Sequence, residues 1–175
     1  INWKQGLKMG KYVLYETNFD IDYEINDDLS LLLMTSGSTG SPEFVRLSHS
    51  NIYSNTKSIC EYLKISNKDV AITTLPMSYS FGISIINTHL FMGASLVLTD
   101  ASLMEKKFWD LISRYKVTTF SGVPYTFEML KKLKFENIHL PTINYLTQAG
   151  GKLRNSLLEY FFDFSDRKNI DFIVM

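Results

Sequence analysis

The sequence predicts an α/β fold, a mostly parallel sheet with alternating helices, and three observations carry that prediction. Apolar runs of strand length alternate with helix-patterned stretches from residue 29 to the end of the chain. Turn-forming stretches punctuate the alternation: TSGSTGSP, LPMSYSFG, SGVP and TQAGG, each read as following a strand and preceding a helix. A hydrophobic content of 45% and an aromatic content of 14% over 175 residues then supply one well-filled core. Parallel sheets bind ligands outside the carboxyl ends of their strands, so the four turns together predict one shared crevice.

Residues 1–28 read as a lead-in segment with possible short strands. Residues 11–15 suit a short strand, residues 20–25 alternate acidic and apolar side chains as a surface strand does, and Asn26-Asp27-Asp28 is a turn signal. Residues 31–34 form the first buried strand. Beyond its loop, Ile52, Thr56, Ile59 and Leu63 recur at helical spacing, with Ser48 or Ser50 as the N-cap. Residues 70–75 read as a strand, followed by a turn and an apolar helix through Phe91; residues 95–99 are the next strand. Ser102 and Glu105 have capping-box spacing ahead of a helix face made of Met104, Phe108, Leu111, Ile112 and Tyr115. Strand 117–120 leads through Ser121-Gly122-Val123-Pro124 into a helix, with Pro124 near its first position and Thr126, Met129, Leu130 and Leu133 on one side. Strand 143–146, a turn, a helix carrying Leu157, Leu158, Phe161 and Phe162, and a strand over 170–174 complete the pattern.

Composition excludes several functions. Lys+Arg and Asp+Glu balance at 18 each, so no net charge points to nucleic acid or to an anionic membrane. Cys60 is the single cysteine, and His49, His89 and His139 lack ligand-like spacing, so neither a disulfide nor a metal cluster is expected. No apolar run approaches the roughly 20 residues of a membrane span. Nothing resembles a signal peptide, and a cytoplasmic setting is expected. The chain starts without Met and stops inside a strand-like run, as a piece of a longer protein would.

The sharpest chemistry lies in Thr35, Ser36, Gly37, Ser38, Thr39 and Gly40, with four hydroxyls and two glycines directly after an apolar strand. Glycine lets the main chain approach an anion closely, and Ser/Thr hydroxyls add donors. By composition alone a solvated Ser/Gly turn accounts for the same residues. A GxxxxGK[ST] phosphate loop is excluded because Ser41 and Pro42 follow Gly40. A G-x-S-x-G nucleophile elbow is excluded because Ser36 stands where its first glycine belongs, which also argues against a hydrolase using Ser36 or Ser48 with His49.

The longer string TSGSTGSPEFVRLSHSNI resembles the phosphate-binding signature of the AMP-forming adenylating enzymes: acyl-CoA synthetases, peptide-synthetase adenylation domains and luciferases. The usual form is T-S-G-[ST]-T-G-x-P-K-x-V-x-[LH]-[ST]-H. It is matched from Thr35 through Gly40 and at Pro42, Val45, Leu47, Ser48, His49 and Asn51, but Glu43 stands where the family usually has Lys. LPMSYSFG resembles the L-P-x-x-[HFY]-x-x-G segment, which implies a carboxylate-substrate pocket at Tyr79, Ser80, Phe81 and Gly82. Tyr79 and Phe81 also read as ordinary core aromatics at a helix start. The absence of an acid after Tyr79 tilts the substrate toward one without an α-amino group. TQAGGKL resembles the S-G-G-A-P-L segment, implying an adenine and acyl pocket at Ala149, Gly150 and Gly151, and FSGVP resembles a V-G-V-P segment that shapes the pocket.

The resemblance implies part of the large N-terminal domain of an AMP-forming ligase, with residues 29–175 as a partial adenylation domain. The implied reactants are ATP with Mg²⁺, a small carboxylate, and an acceptor thiol (CoA or a carrier protein) or amine. The family's Y-G-x-T-E segment, whose Glu holds Mg²⁺, is expected past Met175, as are the ribose-binding Asp and the catalytic Lys. This chain is therefore expected to hold no catalytic residue and no metal ligand, and to be inactive alone. The alternative is a non-catalytic scaffold of the same fold, for which Glu43 is the support, because a carboxylate beside a triphosphate repels it. Arg46 is the candidate to compensate.

Overall fold

A computed structural model describes residues 3–9, 12–17, 24–35 and 43–175. Five short strands form a parallel sheet: β5 (Val70–Ile72), β6 (Ser95–Val97), β7 (Thr119–Gly122), β8 (Tyr145–Gln148) and β9 (Asp171–Val174), in the spatial order β6-β5-β7-β8-β9. Helices α2 (Ser80–Phe91), α3 (Lys106–Tyr115), α4 (Pro124–Lys132) and α5 (Asn155–Lys168) connect them in sequence, and a single 3-10 turn, Phe135–Asn137, follows α4. Strand–helix alternation thus produces the parallel sheet that the sequence predicts.

Two antiparallel hairpins precede the sheet. β1 (Trp3–Met9) pairs with β2 (Tyr12–Thr17), and β3 (Leu29–Thr35) pairs with β4 (Glu43–Ser48). The lead-in therefore holds two strands where one was expected over residues 11–15. Of the expected strand over residues 20–25, Glu24 and Ile25 are exposed and outside any strand, and residues 20–23 lie outside the described residues.

The hairpin β3–β4 corrects the sequence reading in one respect. The hydroxyl-rich segment does not lead into a helix; it joins two antiparallel strands whose register runs from Leu29↔Ser48 to Thr35↔Glu43. Residues 43–48, for which the sequence reading proposed no element, form β4 through pairing with β3. Helix α1 (His49–Leu63) starts only after β4, with a reciprocal cap. Ser48 Oγ accepts from Asn51 N–H at 3.1 Å, and Asn51 Oδ1 accepts from Ser48 N–H at 3.0 Å. The Ser48 hydroxyl is thus engaged in capping rather than presented as a nucleophile.

The two faces of the parallel sheet differ. Period-2 alternation turns Ile72, Phe120, Leu146 and Phe172 toward α3, α4 and α5, where they join Phe108, Phe127, Phe135, Phe161 and Phe164 in the main core. Phe127 and Phe161 meet edge to face at 4.9 Å between ring centres. The other face carries Thr119, Ser121, Tyr145 and Thr147 and is covered by α1 and α2. All eight residues of β7 and β8 are buried. α2 is apolar nearly all round, as a helix enclosed on several sides must be.

Candidate functional site

The strand order places a switch point at β5. From β5 the chain crosses outward to β6, then back over β5 to β7, and continues the other way through β8 and β9. Connections leaving β5 and β7 therefore diverge, which opens a crevice at the carboxyl ends of these two strands. β5 is followed by Thr73-Thr74-Leu75-Pro76, β7 by Val123-Pro124 and β8 by Ala149-Gly150-Gly151. The Thr74 hydroxyl donates to the Ser121 carbonyl and ties the first two of these exits together.

Three of the four predicted turns meet at this crevice. Gly150 has φ +79°, and a Cβ built on it would lie 2.5 Å from Tyr79 Oη and 3.0 Å from Val123 Cγ1. The positive φ favours glycine here, and a Cβ would also push the Tyr79 hydroxyl aside where the LPMSYSFG, SGVP and TQAGG segments meet. Gly82, in the first turn of α2, is equally constrained: a Cβ there would lie 2.1 Å from the Pro76 carbonyl oxygen. Ser80, Phe81 and Gly82 therefore belong to α2 itself, with Tyr79 as the residue that caps its start. Ala149 N–H donates to the Gly122 carbonyl at 3.2 Å, which extends the β7–β8 ladder into the turn.

Gln148, which the sequence reading left within the turn, supports the double-glycine segment. β8 extends through Gln148, two residues beyond the expected end, and buries its side chain completely. Its amide nitrogen donates to the carbonyls of Ala149 at 3.1 Å and Gly151 at 2.8 Å, holding the double-glycine turn from beneath. The available signal was a buried-strand pattern that runs on past Leu146 as Thr147-Gln148 before the glycine pair.

Of the phosphate-loop residues, Thr35 ends β3, while Ser36, Gly37, Ser38, Thr39 and Gly40 lie outside the described residues. Their flanks are defined. Alternation puts Leu33 and Leu31 on the same face as Glu43, Val45 and Leu47. Leu31, Leu33 and Leu47 of that face line a groove of about 390 Å³ with Ile52 of α1 and with Ser80 and Ile83 of α2. Arg46, paired with Leu32, stands on the opposite face of the hairpin from Glu43.

On the sheet side of α2 a narrower cavity is lined by Phe81, Ser84, His89, Thr119, Tyr145 and Thr147 among others. His89 Nδ1 lies 2.8 Å from the Ile85 carbonyl oxygen, so that nitrogen carries the proton. Burial lowers the pKa of His89, against smaller opposing effects from that hydrogen bond and from Asp69. Burial also pushes Tyr145 up to about 12, partly offset by the neighbouring Thr119 hydroxyl. Both rings are therefore neutral at ordinary pH. Among the described residues no three His, Cys, Asp or Glu side chains cluster to hold a metal.

Comparison with known proteins places this geometry. The family model for the AMP-binding enzyme matches residues 10–170. The chain belongs to that family. Among curated AMP-binding relatives it is 31% identical to acyl-CoA synthetase ALT10 of Alternaria alternata over 137 residues, 77% of this chain and 24% of that protein. The inhibitor-bound N-terminal domain of FACL13 from Mycobacterium tuberculosis superposes with a TM-score of 0.72 at 22% identity, covering 89% of this chain and 38% of that one. The o-succinylbenzoate coenzyme A synthetase MenE of Bacillus subtilis, in complex with AMP, gives 0.67 at 26% identity, covering 81% and 28%. The fold is therefore that of the N-terminal domain of AMP-forming ligases. The chain spans about a quarter or less of the length of the curated relatives it matches.

Proposed function

We propose that the protein to which this chain belongs activates a small carboxylate with ATP, releasing pyrophosphate, and passes the acyl group to a thiol, of CoA or a carrier protein, or to an amine. The observation that carries the reading is the meeting of Tyr79, Val123 and Gly150 at the switch point between β5 and β7, within a chain of the AMP-binding family. A glycine main chain at the meeting point of three turns suits the flat approach of a nucleotide base or an acyl-adenylate. In this reaction a carboxylate oxygen attacks the α-phosphorus, the bond to the bridging oxygen breaks, and pyrophosphate leaves. The protein's contribution is positioning and charge neutralisation.

The roles are those that the family resemblance implies. Thr35 through Gly40 hold the ATP phosphates, Tyr79 through Gly82 form the carboxylate pocket, and Ala149, Gly150 and Gly151 approach the adenine and the acyl group. The described residues offer no acidic cluster for Mg²⁺. The ion would be held by the phosphates and by a Glu of the Y-G-x-T-E type outside this chain. No helix of the described residues is long and apolar enough to cross a membrane. ATP–pyrophosphate exchange by the full-length protein tests the reading: exchange that depends on an added carboxylic acid supports it, and none across a broad acid panel refutes it. The chain by itself should show no exchange, and exchange by the purified chain would overturn the assignment of catalytic groups to other parts of the protein.

A further inference from the structure

The double-glycine turn after β8 is held by one side chain. The Gln148 amide nitrogen donates to the Ala149 carbonyl at 3.1 Å and to the Gly151 carbonyl at 2.8 Å, on either side of Gly150. Gly150 and Gly151 have φ of +79° and +152°, and glycine is the residue with the most backbone freedom to lose. Both glycines are exposed, whereas Gln148 beneath them is fully buried.

The carboxamide has one workable orientation, because turning it over would set its oxygen against two carbonyl oxygens. In that orientation Gln148 Oε1 is buried without a hydrogen-bond partner among the described residues. Gln148 stands on the face of β8 that Leu146 presents to the aromatic core, where an apolar side chain of equal length would leave no orphan. A local rule broken in this way implies a compensating gain, and the two bonds to the turn supply it.

Those bonds also decide what the turn presents. With both carbonyls engaged by Gln148, the N–H groups of Gly150 and Gly151 have no acceptor among the described residues, and neither glycine has a side chain to cover them. Exposed peptide donors and bare main chain beside Tyr79 and Val123 suit a flat group rich in acceptors, and the adenine ring with its ring nitrogens is one. Tyr79 is fixed independently of Gln148: its N–H donates to the Pro76 carbonyl at 3.1 Å, and its own carbonyl accepts from Ile83 N–H at 3.0 Å.

We propose that Gln148 is a positioning residue for the nucleotide. Fully buried, it touches no reactant; it fixes the main chain of Ala149, Gly150 and Gly151 in the shape against which the adenosine half of ATP lies. The proposal rests on the adenylation reading above.

The test uses the full-length protein and Gln148→Met, which keeps the side-chain length and loses both donors. Calorimetric titration should show AMP and ATP binding weakened about tenfold, since a small misplacement of a binding surface is costly. In ATP–pyrophosphate exchange with the best acid of the panel, KM for ATP should rise by a similar factor, while KM for the acid and the thermal midpoint stay near those of the wild type. Gln148→Glu gives a second readout if the methionine variant does not fold. Its protonated carboxyl restores one donor, so its deficit in ATP affinity, relative to wild type at the same pH, should shrink as pH falls. Unchanged nucleotide affinity overturns the positioning role and leaves adenylation intact, as do equal losses for nucleotide and acid with a lowered thermal midpoint. A wild type that binds no nucleotide overturns adenylation, and this inference with it.

Discussion

The two faces of the parallel sheet come from the same eight residues of β7 and β8, yet they do different work. Toward α3, α4 and α5 the strands present Phe120 and Leu146 to a continuous aromatic core in which Phe127, Phe161, Phe164 and Phe172 touch one another. Toward α2 they present two threonines, a serine and a tyrosine, a neutral histidine opposite, and a cavity. Burial alone does not distinguish the faces, since every one of these strand residues is buried. What differs is whether neighbouring atoms fill the space and satisfy the polar groups. One face is filled by aromatic side chains, and the other keeps a small polar-lined cavity.

That contrast gives its largest expected effect at Phe161, which is fully buried and packed on Phe127 and Phe172. Phe161→Ala should cost about 3–5 kcal/mol of stability, measured by thermal or denaturant unfolding. On the opposite face, Thr119→Val removes a single hydroxyl beside Tyr145 and leaves the apolar packing in place, so stability should fall by only about 1 kcal/mol. A loss at Thr119 as large as that at Phe161 would show that both faces carry the fold equally and would dissolve the contrast.

Much of this division was legible in the sequence, and the part that was not has a physical cause. The order of strands and helices followed from apolar periodicity, and the gathering of LPMSYSFG, SGVP and TQAGG followed from parallel topology. The ends of β7 and β8 did not: apolar runs suggested strands ending at residues 120 and 146, whereas the ladder continues through Gly122 and Gln148. A buried strand whose inward residues are hydroxylated looks like a turn when only hydrophobicity is read. The same bias hid β4, because EFVRLS pairs with β3 through backbone hydrogen bonds that a mixed polar sequence does not announce. The missed strand ends fall on both faces of the sheet, Ser121 and Thr147 toward α2 and Gln148 on the side of Leu146, because polar side chains hide a strand whichever way they point.

A pH prediction sharpens the contrast further. His89 faces the cavity with a pKa lowered by burial, so the folded state resists the proton that the unfolded chain accepts near pH 6.5. Unfolded chains then bind more protons than folded ones below that value, and stability falls as pH drops. Asp69, the acidic group that acts on His89, opposes this only in part. His89→Gln should therefore lose less thermal stability than the wild type between pH 7.5 and 5.5. Identical losses in the two proteins would place the acid-sensitive group elsewhere.

The smallest effect is expected at Glu43, on the hairpin rather than on the sheet. Glu43 opens β4 directly opposite Thr35, on the hairpin face that looks toward α1 and α2, so it flanks the segment proposed to hold the ATP phosphates. Arg46 is turned to the other face, and the family's usual residue at position 43 is Lys. Exchanging Glu for Lys changes the local charge by two units. Glu43 is exposed, however, and water and salt screen most of that difference. In the full-length protein Glu43→Lys should tighten ATP binding severalfold at low salt and by less at high salt, with Glu43→Gln recovering part of the gain. Calorimetric titration with ATP at two ionic strengths measures both steps. Equal affinity of all three proteins under both conditions would mean that position 43 does not sense the phosphates, and the scaffold alternative would lose its one support in the sequence. A gain confined to the lysine variant and insensitive to salt would instead indicate a direct contact in a site closed to solvent. The hairpin would then belong with the enclosed face of the molecule rather than with its open one.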